Sequence, residues 1–510
     1  MHANLAKVYA AELEGINARL IEVEVDLHAG LHAFNIVGLA DKALNEAKER
    51  VNSALKNAGT KPPNRENRKI TVNLAPADVQ KTGSQYDLAI ALGYLLATKQ
   101  IKEFDARDKV FVGELALDGR LRPISGALNI AQMAAHAGIA SLYVPRENAN
   151  EAAVVQELKV IPLGSLAEAI AFLEERTDIA PASFAAPEFD AAHVTDFAEI
   201  KGQESAKRAL MIAAAGAHNL LMTGPPGVGK SLLAQALVGI LPRLTIAEAI
   251  EVTKIYSAAG FSGNGLVEQR PFRAPHQTAS LVALVGGGTN PRPGEISLAH
   301  RGILFLDELP EFQKNVLESL RQPLESGIVR ISRAKGTLAF PAKFTLVSAM
   351  NPCPCGFYGD PEKECRCTAY EVMRYQKKIS GPLLDRIDLQ ISVPRVELAV
   401  LRSGAPDARE SSKIKAQVET ARQIQAERFR NAGISRATNA EMSSRETEAL
   451  AALSPNAEQF LWTIERARLS PRGYYRLLKT ARTIADLEQK QNVSAEHLAE
   501  AFSYRLREAV

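Results

Sequence analysis

The chain has 510 residues, 46% hydrophobic and 23% charged, which excludes a disordered, collagen-like or coiled-coil protein and leaves room for about three domains. Its 61 Lys and Arg against 58 Asp and Glu leave a net charge of +3, so nucleic acid or anionic lipid could be held only by local patches. No apolar stretch approaches the roughly 18 residues that span a bilayer, and the N-terminal residues carry charges in place of an apolar signal core, so the expected address is the cytoplasm with no membrane partner.

Residues 1–176 alternate short apolar runs with amphipathic segments and read as a mixed α/β domain. Residues 21–26 alternate as a half-buried strand, while residues 41–57 place Leu44, Ala47, Val51, Ala54 and Leu55 on one helical face. Further strands are expected at 70–74, 110–112 and 142–144, with helices at 86–97 and 126–137. Residues 177–195 turn to Pro, Ala and acidic residues without periodicity, as a linker does. From 196 to 395, near-continuous apolar strands at 219–222, 303–306 and 344–349 alternate with helices, the pattern of a parallel sheet covered on both faces. Residues 396–510 are rich in Ala, Glu, Arg and Leu and read as helices broken near Gly433, 454–456 and 470–473.

Gly224-Pro225-Pro226-Gly227-Val228-Gly229-Lys230-Ser231 fits the G-x-x-x-x-G-K-[ST] loop between a strand and a helix expected at 232–240. The glycines let backbone N–H groups converge on the phosphates of ATP, Lys230 reaches the β- and γ-phosphates, and the Ser231 hydroxyl completes a Mg²⁺ shell. The strand at 303–306 ends in Asp307, suited to hold Mg²⁺ through water, and Glu308, suited to polarise the attacking water. An acid pair capping a helix at 312–324 is the alternative. The strand at 344–349 leads to Asn351, a neutral amide able to orient water.

All four cysteines, Cys353, Cys355, Cys365 and Cys367, follow within fifteen residues, and two C-x-C pairs so close together point to a structural Zn²⁺, with free thiols or a redox pair as alternatives. Residues 327–343 contain Arg330, Arg333, Lys335 and Lys343 and no acid, and read as a hairpin with a basic tip able to grip DNA phosphates; a merely solvated hairpin is the plain reading. Arg386 stands between Asp385 and Asp388, a surface salt bridge if nothing more.

The order of these parts, with Asp196-Phe197 and Gly202-Gln203 ahead of the loop, resembles the AAA+ superfamily and within it the magnesium-chelatase-like branch. Five phrases, Phe34-Asn35-Ile36-Val37-Gly38-Leu39, Val72-Asn73-Leu74-Ala75-Pro76-Ala77-Asp78, Phe272-Arg273-Ala274-Pro275-His276, Pro293-Gly294-Glu295-Ile296-Ser297-Leu298-Ala299-His300 and Asn351-Pro352-Cys353-Pro354-Cys355-Gly356, resemble the YifB/ComM family over essentially the whole chain. The resemblance implies a Lon-protease-like (S5-like) α+β domain at 1–176, a linker at 177–195, an AAA+ domain of magnesium-chelatase type at 196–395 and a helical lid at 396–510. It implies a homo-hexamer in which Arg386 is the finger reaching a neighbour's nucleotide and Arg472, or Arg476, the lid arginine touching the γ-phosphate. It implies, too, that the basic hairpin and the Pro- and Gly-rich insertion from Arg273 to Gly294 line a pore.

Single-stranded or branched DNA is the partner it suggests, with ATP-driven translocation or branch migration in recombination of incoming DNA as the activity. Remodelling of a protein partner and Lon-like proteolysis are the alternatives. The Lon nucleophile and lysine positions fall on Gln85 and Leu128, with Ser84 one residue off, so proteolysis is not expected.

Overall fold

Gly15, at φ +69°, turns Leu5–Glu14 back onto Asn17–Ala29, and this long antiparallel hairpin is the centre of a seven-stranded mixed sheet. The structure, a computed structural model, describes residues 5–38, 44, 46–65, 67–184, 195–261, 265–288, 291–333, 336–397, 399–400, 410–464 and 469–505. Strand order in the first sheet is Ala33–Val37, Arg68–Ala75, Asn17–Ala29, Leu5–Glu14, Lys109–Phe111, Ser141–Pro145 and Lys159–Leu163. Ile21, Val23, Val25 and Leu27 alternate into the core with polar neighbours between them, as a two-residue period requires. Helices Ala47–Asn57, Asp87–Ala97 and Ala127–His136 cover the sheet.

The second sheet has five strands, all parallel, in the order Phe272–Arg273, Ile303–Leu306, Thr345–Met350, Leu220–Thr223 and Leu389–Ser392. Successive residues divide between two cores. Leu220, Met222, Phe305, Val347 and Ala349 join helices Glu204–Gly216 and Lys230–Ile240. Leu221, Leu304, Leu306, Leu346 and Met350 face the opposite layer, built from Phe312 to Leu320 and from Tyr375 to Ile387. That is why these strands read as continuous apolar runs: both faces are covered. The helices Glu410–Asn431, Pro471–Leu487 and Ala495–Ser503 pack on the first of the two layers, and after Leu389–Ser392 the described elements are all helical.

The segment expected as one helix over 312–324 forms two, Lys314–Ser319 and Arg321–Ser326. Pro323 has no N–H to give to the carbonyl of Ser319, which ends one helix and lets the next take its own direction.

The two sheets are joined through a shared apolar layer in which Leu244, Ala249, Val252 and Leu266 meet Leu128, Ile130 and Ala131. Two polar ties reinforce it: the Asn129 amide donates to the carbonyls of Ile16 (2.6 Å) and Lys254 (3.2 Å), and the Gly126 N–H donates to Ser257 O at 3.1 Å. Among the described residues no helix is long and apolar enough to cross a membrane.

Candidate functional site

The phosphate-binding loop leaves the C-terminal end of Leu220–Thr223 and enters helix Lys230–Ile240. Gly227 and Gly229 adopt φ of +82° and +87°, which side chains resist, and a Cβ on Gly224 would lie 2.2 Å from the carbonyl of Val393. Buried Lys230 donates from Nζ to the carbonyls of Gly224 (2.7 Å) and Pro225 (2.9 Å) and to Asn351 Oδ1 (3.1 Å). Burial lowers its pKa, while the charges of Asp307 and Glu308 act to raise it.

Ser231 Oγ donates to Asp307 Oδ2 at 2.8 Å, and the Glu308 N–H donates to Asp307 Oδ1 at 2.9 Å. Glu308 itself is left-handed (φ +50°, ψ +47°), a conformation that costs a non-glycine residue on the order of 1–2 kcal/mol and recurs at functional sites. The structure therefore joins Lys230, Ser231, Asp307 and Asn351 in one hydrogen-bonded set, with Glu308 beside it.

The four cysteine sulfurs lie within 4.8 Å of one another. Cys353 Sγ is 3.3 Å from Cys355 and 3.7 Å from Cys365, and Cys355 is 3.6 Å from Cys365. Four thiolates about 2.3 Å from a tetrahedral ion stand about 3.8 Å apart, whereas a disulfide needs about 2.05 Å, so the geometry is compatible with Zn²⁺. Backbone N–H groups of Phe357 and Arg366 lower the pKa of Cys355 to about 6. Gly356 carries this cluster against the phosphate loop: a Cβ there would lie 2.7 Å from Pro226 Cδ and 3.8 Å from Asn351 Cγ.

The arginines occupy the other end of the sheet, where its strands begin. Arg386, 4% exposed, donates to Pro382 O (2.5 Å) and Glu325 Oε2 (2.8 Å), and Arg472 donates to the second oxygen of the same carboxylate at 2.6 Å. Arg476 reaches Arg386 O (2.7 Å) and buried Asp388 (2.6 Å). The strand Leu220–Thr223, four residues and about 13 Å long at 3.3 Å each, separates this edge from the phosphate loop. Arg472 is thus placed at the edge remote from its own chain's phosphate loop. Glu325, which holds both guanidinium groups, escapes the sequence reading because its direction depends on the break at Pro323; an acid at the end of a Pro-containing segment is the one signal that marks it.

Three stretches match family descriptions: residues 23–148 match "Subunit ChlI of Mg-chelatase", 196–401 match "Magnesium chelatase, subunit ChlI", and 408–505 match its C-terminal part. The chain is 44% identical to the competence protein ComM of Haemophilus influenzae over 98% of its own length and 97% of that protein's. It is 41% identical to the protein YifB of Escherichia coli over the same shares of the two chains. The chain belongs to the ComM/YifB family. A shorter likeness, 29% identity over 31% of this chain and 51% of the relative, is to the magnesium-chelatase 38 kDa subunit of Rhodobacter capsulatus.

A magnesium-chelatase-like AAA+ chain of the ComM/YifB family is an ATPase that uses ATP and Mg²⁺, and the oxygen donors Ser231 and Asp307, side by side at 2.8 Å, suit a hard cation.

Elsewhere in this ComM/YifB-family chain, Ile328–Arg333 and Gly336–Pro341 pair as an antiparallel hairpin, with Arg330 exposed and Val329 buried. Lys335 and the side chain of Arg333 lie outside the described residues, as do His193, Arg466 and Arg468. Lys343 is bound to Glu441 (3.0 Å), and Arg273 to Glu295 through two bonds (2.6 and 2.7 Å). His276 is exposed beside Thr278, and buried His300 bridges Glu251 and the Lys343 N–H. In the N-terminal domain Gln85 donates to Glu12 at 2.9 Å, Ser84 donates to Glu114, and the buried Leu128 gives its N–H to Glu151 at 2.9 Å.

Lys230→Ala is expected to weaken ATP binding at least about tenfold, since a hydrogen bond to a charged group is worth about 1.5–3 kcal/mol. Gly224→Ala is expected to do the same by forcing the loop away from Val393. Titration with a fluorescent ATP analogue measures both, and unchanged affinity in either would sever that residue from the site.

Proposed function

We propose that the chain is one subunit of a homo-hexameric ATPase that couples ATP hydrolysis to translocation or branch migration of single-stranded or branched DNA during recombination of incoming DNA. The observation that carries the ring is the opposite placement of the two halves of the catalytic equipment: the phosphate loop at the ends of the parallel strands, Arg386 and Arg472 at their beginnings. A subunit so built completes its neighbour's site and not its own. The competence protein ComM, 44% identical, supports the role in recombination of incoming DNA, and exposed Arg330 on the hairpin supports a phosphate-gripping pore element.

In this reading the Gly224–Ser231 loop cradles the phosphates and Lys230 exchanges its carbonyl partners for β- and γ-oxygens. Glu308 accepts a proton from the attacking water, which Asn351 orients. Mg²⁺, held by Ser231 and Asp307, supplies charge neutralisation. Arg386 and Arg472 are the cations a neighbouring chain directs at the γ-phosphate, with Glu325 keeping both on one face until they engage. The four thiolates hold a structural Zn²⁺ that braces the loop against Pro226.

Glu308→Gln should retain ATP and slow hydrolysis about 10²–10⁴-fold, the usual worth of a general base. Arg386→Ala should bind ATP but turn over poorly, and mixing it with Lys230→Ala protein should restore activity above either alone, because an intact finger then meets an intact loop. Mixed rings without any recovery would count against action in trans.

Elemental analysis of protein purified without added metal should find about one zinc per chain. A folded, active, metal-free chain would falsify the four-thiolate site.

The triple change Arg330→Ala/Arg333→Ala/Lys335→Ala should weaken DNA binding for all sequences alike and flatten its salt dependence, by about 0.7 in log–log slope on single strands for every phosphate that is no longer neutralised. Unchanged slope and affinity would remove the hairpin from the DNA path, and a wild-type ATPase indifferent to DNA would move the reading to remodelling of a protein partner.

A further inference from the structure

Where the C-terminal helices meet the starting edge of the five-stranded sheet lies a cavity of about 500 Å³, within the range of small-molecule sites. Nine Lys and Arg side chains line it against four Asp and Glu. Several of the cations are answered by carboxylates: Arg270 by Glu248 at 2.9 Å, Lys343 by Glu441 at 3.0 Å and Arg476 by Asp388 at 2.6 Å.

Two are not. Arg422 donates only to the carbonyl of Ala214 (3.2 and 2.7 Å), and Lys479 only to that of Ala440 (3.2 Å), with no carboxylate paired to either among the described residues. Burial lowers the pKa of both, that of Lys479 to about 8. On the same wall Thr438, 3% exposed, has a hydroxyl with no hydrogen-bond partner among the described residues.

A buried hydroxyl is satisfied in stable proteins, and the open Thr438 donor stands beside two half-buried cations without a carboxylate partner around one space, which describes an anionic ligand. The three arrive from different elements: Arg422 from helix Glu410–Asn431, Thr438 from the segment after it, and Lys479 from helix Pro471–Leu487. A planar carboxylate is met best by a single guanidinium fork, whereas donors converging from several directions suit the tetrahedral oxygens of a phosphoryl group.

We propose that Arg422, Lys479 and Thr438 form a binding site for a small phosphate-bearing anion, seated between the C-terminal helices and the ATPase core and separate from the phosphate loop. Its occupant ties the helical layer to the sheet edge that carries Arg386. The site needs neither DNA nor a ring.

The test uses full-length Lys230→Ala protein, whose own nucleotide site is disabled, titrated calorimetrically with inorganic tripolyphosphate. Saturable binding near one per chain is expected, weakened at least about tenfold by adding Arg422→Gln/Lys479→Gln and also weakened by Thr438→Val. The charge-keeping pair Arg422→Lys/Lys479→Arg, with melting temperature as the folding control, should retain binding within a few-fold. Binding that ignores these changes belongs to the phosphate loop and overturns the proposal. So does absence of binding, including the case in which Arg422→Gln/Lys479→Gln, made in the chain with Lys230 intact, slows ATP hydrolysis only in assembled rings, which would assign the phosphates to a neighbour's nucleotide. The ATPase reading fails on a different result, undiminished ATP binding by Lys230→Ala.

Discussion

The Asp388 carboxylate, 4% exposed, accepts from the Asn219 N–H at 2.9 Å and from Arg476 at 2.6 Å, with His218 at 3.7 Å. Burial alone would raise its pKa; Arg476, His218 and the Asn219 N–H together hold it well below the usual carboxylate range. Removing one partner of a buried pair costs about 3–5 kcal/mol because a charge is then left bare. The Asn219 side chain extends the same knot, donating to Arg386 O at 2.9 Å and accepting from the Leu346 N–H at 2.9 Å. Three strands thus begin at a single polar cluster, which Arg476 of helix Pro471–Leu487 joins. The register that sets the phosphate loop beside Asn351 at one end of the sheet is fixed by polar groups at the other.

Two further joints show how little of the site stands alone. The Gly15 turn of the first domain lies within 3.6 Å of Phe340, at the base of the basic hairpin, if a Cβ is built there, and Ile16 packs into the same core. The thiolate loop leans on Pro226 through Gly356. Hairpin and phosphate loop are each backed by a neighbour that performs no chemistry.

What the sequence made legible follows the distance over which each feature is decided. The Gly224–Ser231 loop, the Asp307-Glu308 pair and the cysteine pairs are set within a few residues by a strand, a turn and a helix start. The C-terminal helix starts were readable for the same reason, as at Pro471 after the Ser470 cap, whose side chain accepts from the Gly473 N–H at 3.1 Å. Strand Leu5–Glu14 was not, because its alanines and terminal charges blur the alternation that pairing with Asn17–Ala29 imposes. Nor was the fork at Glu325, whose partners Arg386 and Arg472 lie 61 and 147 residues away and meet it only after the helix break and the placement of the C-terminal helices.

The parallel sheet carries one more consequence. Its two ends differ, so on the proposed reading, in which the arginine edge of one copy meets the phosphate loop of another, two copies cannot both be completed by one shared patch. Contacts of this head-to-tail kind propagate until rotation closes them. The last chain to enter a closing circle gains two interfaces where each earlier one gained a single interface, so assembly is steep in concentration and partial arcs are sparsely populated. In such a system each added chain would complete one further site, and closure of the circle would complete the last.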